Sequence, residues 1–239
     1  MLVAVVLVVP VLKLAWTLGG GDGAREALAA MGPGDWPDIV IGMFLAEPVL
    51  ATVTAVVVSH VSYAVSAGTG GAKRHQGRPL ASGAVMAALI PVSAGIIVGS
   101  FNGLIWGLVT GLLSYGTRLG VLLEYRTGLR AAETGKRTGR RATSGAQRWA
   151  AVSRVVALSL AWVVLPLVAV AGALDGRSWT SVLNCDVNTG TGAERVRVIE
   201  LGRNGSGVIG WDLPSAEVVN GTDCAADPDD VIRRPWWNT

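Results

Sequence analysis

Apolar residues in this chain come in long blocks, not at the two-residue spacing of strands or the three-to-four-residue spacing of amphipathic helices. Blocks of about 18 or more uncharged apolar residues predict membrane spans. The first block, 1–18, is interrupted only by Lys13. No basic segment precedes it and no small-residue cleavage site follows closely. It therefore reads as an uncleaved span rather than a signal peptide, whether or not Met1 is the true start. A second block runs over 39–67 and carries Glu47 and His60.

The third block has no charged residue from Pro79 to Thr117. As one helix it would be about 58 Å long, against a hydrocarbon core about 30 Å thick. It must therefore fold back, giving spans over 80–98 and 104–123. The turn is expected in Gly99–Gly103, where glycine, serine and asparagine supply turn conformations. Arg118, near the end of the second arm, is expected to snorkel toward the headgroups. A last apolar block over 155–174 makes a fifth span. The fold class read from this pattern is an α-helical multi-pass membrane protein with five transmembrane helices and a small C-terminal antiparallel β domain.

The tail, 175–239, changes period. Alternation in "ERVRVIEL", a turn signal at Asn204-Gly205 and a return segment "VIGWDL" predict a hairpin. "WTSVLNCDV" and "VVNG" add two more strands, completing a meander or small barrel. The two cysteines of the chain, Cys185 and Cys224, both fall here. A disulfide between them is expected if the tail lies in an oxidising compartment.

Charge fixes the expected orientation. The net charge of +3 and mean hydropathy of +0.47 say less than where the bases sit. The connector 68–79 holds Lys73, Arg74 and Arg78 with no acid, and 124–154 holds eight bases against Glu124 and Glu133. Short basic loops stay in the cytoplasm. The 19–38 loop is acidic, so it faces out. Five spans then put the N-terminus inside and the disulfide-linked β domain outside. Abundant Ala, Gly, Val and Arg point to a bacterial inner (cytoplasmic) membrane.

Several groups are candidates for function. Glu47 and Lys13 lie at similar expected depths and are read as an intramembrane pair. That pair is either a structural ion bridge or an ion-coupling site, with His60 extending a proton path. Gly95, Gly99, Gly107, Gly111, Gly116 and Gly120 recur mostly at four-residue spacing, the pattern of a glycine zipper. They are read as close helix packing within the chain or as a homo-oligomer face. Lys136, Arg137, Arg140 and Arg141 form a basic cluster that sets topology; anionic lipid is its next reading and nucleic acid a weaker one. Asp223, Asp227, Asp229 and Asp230 lack the ligand spacing of a calcium loop. "GGGDGA" and "GTGGAKR" fail as phosphate-binding motifs on context and order. No metal or cofactor is expected, and no nucleophile, base and oxyanion donor come together. The partners implied are the lipid bilayer and a protein bound by the outer domain. The function read from the sequence is therefore a non-catalytic envelope or membrane-complex subunit, with a transporter or channel component as the alternative.

Overall fold

The computed structural model describes residues 2–31, 41–44, 47–67, 80–126, 144–188, 192–205 and 207–238. These residues are mostly helical and end in a four-stranded antiparallel sheet. Three helices are long and apolar enough to cross a membrane: Pro48–Ser66, Gly83–Asn102 and Gly145–Ala173. The chain divides into two compact units, one of 1–44 with 169–239 and one of 45–168.

Within the block 39–67, residues 41–44 are helical, and in the 45–168 unit helix α3 runs over Pro48–Ser66. The backbone of Glu47 is extended, and Pro48 occupies the first helical turn. Both follow from proline chemistry. The residue before a proline is pushed out of helical conformation, and a proline at the first position loses no helix bond. Glu47 therefore stands at a helix end, not inside the helix.

Helices α4 (Leu80–Asn102) and α5 (Leu104–Arg126) form the expected hairpin. The turn is a single residue, Gly103, at φ +90°. Only glycine adopts that region freely. Glycines meet where the two helices approach closely. A Cβ added at Gly95 would lie 2.8 Å from the Gly107 carbonyl oxygen, and one at Gly99 would lie 3.3 Å from Gly107 Cα. The outward faces carry exposed Ile96, Leu104, Ile105 and Leu112. Apolar exposure on this scale suits a hydrocarbon solvent.

Helix α6 (Ser144–Ser159) begins well before the expected 155. It continues through a π-helical turn, Leu160–Val164, into α7 (Leu165–Ala173). Pro166 stands two residues beyond the last residue of that turn. The wider turn accommodates a residue that can neither donate to residue 162 nor tolerate its carbonyl. Gly116 and Gly120 face α6 rather than the hairpin partner. Gly116 accepts a bond from Trp149 Nε1 at 3.2 Å, and a methyl at Gly120 would overlap Ser153.

The other unit holds α1 (Leu2–Thr17), α2 (Gly21–Ala30), the end of α7 and the strands. Strands β1 (Val182–Asn188), β2 (Ala193–Asn204), β3 (Gly207–Asp212) and β4 (Val218–Ala226) close into a barrel, with β4 returning to β1. Asn204 pairs with Gly207 and Gly205 has φ +60°, so the hairpin turn falls where Asn204-Gly205 placed it. Leu183, Cys185, Val198 and Val208 fill the interior. The Cys185–Cys224 disulfide ties β1 to β4, and Gly221 lies against it. A Cβ at Gly221 would meet Cys185 Cβ at 2.5 Å, which explains the glycine.

Candidate functional site: a charged clamp and a buried arginine

Two polar constructions stand out, one in each unit. The first is built where α1 and α7 end. Lys13 lies one turn before the end of α1 and its side chain is 4% exposed. An ammonium buried that deeply needs an anion and full hydrogen bonding. Lys13 Nζ donates to the Gly172 carbonyl at 2.9 Å and to Asp175 Oδ1, with which it forms an ion pair. Asp175 is held in turn by the Arg177 backbone N–H at 2.8 Å. The carboxylate set against Lys13 is thus Asp175. Glu47, expected beside Lys13, lies in the other unit at the N-terminal end of α3, just before Pro48.

The C-terminal segment straps the same place. Ile232 and Arg233 donate their backbone N–H groups to the Gly176 carbonyl, and Trp236 donates to the Leu174 carbonyl at 3.2 Å. The Arg233 guanidinium lies 4.5 Å from the centre of the Trp16 ring, and its Nη1 donates to the Trp16 carbonyl. Arg197, on β2, anchors the strap from the barrel side. Its Nε donates to Asp227 Oδ2 at 2.8 Å and its Nη2 to the Asp229 carbonyl. The Asp229 backbone N–H and the Arg197 charge hold the Asp227 carboxyl below its usual value, the backbone bond contributing most. Asp227 and Asp229 thereby serve as anchors for Arg197, and Asp230 pairs with Arg177. Among the described residues no cluster of His, Cys, Asp and Glu has metal-binding geometry.

The second construction is Arg118 on α5, 2% exposed. It turns inward instead of snorkelling. Nε donates to the Ser59 carbonyl at 3.0 Å, Nη1 to the Ala87 carbonyl and Nη2 to Ser62 Oγ at 3.1 Å. The Tyr63 ring lies 5.0 Å from the guanidinium carbon. These partners are neutral, and they join α3, α4 and α5 through one side chain. Above it, Thr52 and Thr110 share a 2.9 Å hydroxyl bond across the α3–α5 contact, and Ser59 and Ser114 are fully buried along the same seam. The sequence signal was present: Thr110, Ser114 and Arg118 recur at four-residue spacing on one helix face. His60 adjoins this seam on α3 and is half-buried. Lys136, Arg137, Arg140 and Arg141 lie outside the described residues.

No known family model, characterised protein or solved structure matches the chain.

Proposed function

We propose that the chain is a five-span protein of a bacterial cytoplasmic membrane that presents its disulfide-closed barrel outside the cell membrane for binding a protein partner, with no catalysis of its own. The observation that carries this reading is the clamp. Lys13, near the end of α1, meets Gly172 and Asp175 at the end of α7. Two spanning helices whose C-terminal ends meet must cross in the same direction. The number of crossings after the first is then even. Counting α3, α4, α5 and the α6–α7 segment as one crossing each, as the apolar blocks suggest, gives four. An even number puts the N-terminus and the barrel on opposite sides, as the basic connectors do; which side is outside rests on those connectors and on the disulfide. The disulfide agrees with the connectors, because bridges persist on the oxidising side.

The test is thiol accessibility in intact cells. Cys185 and Cys224 are expected to resist maleimide until a reductant is added, and then to react with a membrane-impermeant reagent. Reaction of both without reductant would remove the compartment assignment.

A transporter or channel component is the second reading, favoured by Arg118. Ionisable groups at membrane depth mark pathways often enough to warrant a flux assay. Ion flux in liposomes that Arg118→Lys abolishes, without loss of folding, would favour it over the anchor reading. Binding of anionic lipid or nucleic acid by Lys136, Arg137, Arg140 and Arg141 remains a third proposal, tested by reversing their charge.

A further inference from the structure

The water-facing part of the chain hides its large apolar side chains with one exception. Among the described residues of 175–238, the exposed large hydrophobic residues are Val231, Trp236 and Trp237. All three belong to the strap. The two indoles are about half exposed and meet edge to face, with ring centres 6.1 Å apart. Their turn, Trp236–Asn238, is tied by its own backbone to Leu174, the first residue beyond α7. Arg233 fixes the strap to Trp16 at the end of α1. The exposed aromatic surface is therefore continuous with the ends of two apolar helices.

Tryptophan at that level has a physical preference. Its ring is apolar and its N–H is polar, so it partitions to the boundary between headgroups and chains. Charge does not select the partner here. Asp227, Asp229 and Asp230 on the strap are matched by Arg177 and Arg197 facing them and by Arg233 and Arg234 beside them. We infer that the strap, through Trp236, Trp237 and Val231, docks into the interfacial zone of the lipid leaflet next to the α1 and α7 ends, and so holds the barrel down on the membrane surface. This rests on the reading that α1 and α7 cross the bilayer. It adds a lipid-facing surface to a domain proposed to bind protein, and lipids of no net charge suffice for it.

The experiment uses the full chain at one copy per nanodisc, in zwitterionic lipid with or without brominated acyl chains. Because both native cysteines are bridged, a single added thiol takes an environment-sensitive dye. The positions are Trp237→Cys, Asn238→Cys as a second probe in the same turn, and Asn204→Cys as a control. Asn204 lies five residues along β2 from the Ile199–Val182 pair, about 17 Å away. Blue-shifted emission and several-fold quenching by brominated lipid are expected at 237 and 238, with neither at 204. Water-like emission at both 237 and 238 would overturn the docking. So would a blue shift without bromine quenching, because the cover would then be protein. The readout is blind to sidedness. A cytosolic C-terminus together with quenching would refute the topology and leave the docking standing.

Discussion

Gly107→Ala tests the hairpin most severely. A Cβ at this position would lie 2.6 Å from the Gly95 carbonyl oxygen and 2.9 Å from Gly99 Cα. Ordinary contact starts near 3.4 Å, so α4 and α5 must separate by several tenths of an ångström along a backbone-to-backbone contact. No side chain can swing away to relieve it. Overpacking of this kind costs about 1–3 kcal/mol, partly offset by the better helix propensity of alanine, up to about 1 kcal/mol. Gly111→Ala is the matched control. Its Cβ would meet Pro91 O at 3.6 Å and Gly95 Cα at 4.0 Å, both ordinary contacts. Equilibrium unfolding in mixed detergent micelles should lower the stability of Gly107→Ala by about 1–2 kcal/mol and leave Gly111→Ala unchanged or slightly stabilised. Equal stability of the two variants would refute the glycine-to-glycine contact.

The remaining tests address the clamp, the arginine, the bridge and the strap. Asp175→Asn strips the anion from buried Lys13 and should cost about 3–5 kcal/mol, while the apolar double variant Lys13→Met with Asp175→Leu recovers most of that in the same unfolding assay. Arg118→Lys keeps the charge but cannot reach three helices at once, and should lower the thermal midpoint as measured by circular dichroism; an unchanged midpoint would mean the guanidinium contacts contribute nothing. Replacing both cysteines by alanine should destabilise the barrel by about 3–4 kcal/mol in the chain-entropy account, given a sequence separation of 39, read from hydrogen exchange of strand amides. The depressed Asp227 carboxyl stabilises the fold fully above its unfolded value near 3.8 and loses that contribution as pH falls through its lower folded value. Asp227→Asn should abolish this acid-range dependence in a pH series of strap amide exchange.

Much of the architecture was legible because membrane helices are written in block lengths. An uncharged stretch too long for one crossing forces a hairpin, and Gly103 supplies its turn. The β strands were legible from alternation, and the disulfide from the position of two cysteines. The charged contacts were not. Lys13 and Asp175 are separated by 162 residues, and depth reckoned along each helix could not see which ends meet. Pro48 could have warned that Glu47 stands outside its helix. The polar stripe Thr110, Ser114 and Arg118 was visible, but the partners of Arg118 were not: two of its three acceptors are backbone carbonyls, which leave no mark in a sequence. The strap was hidden for the same reason, since its ties to Leu174 and Gly176 are main-chain bonds.

The central claim is that the barrel lies outside. Fusing alkaline phosphatase or green fluorescent protein after Thr239 measures this directly, since the first works only outside the cytoplasm and the second fluoresces only within it. The account expects an active phosphatase fusion and a dark fluorescent one. A bright fluorescent fusion with inactive phosphatase would contradict the five crossings and the outward barrel together.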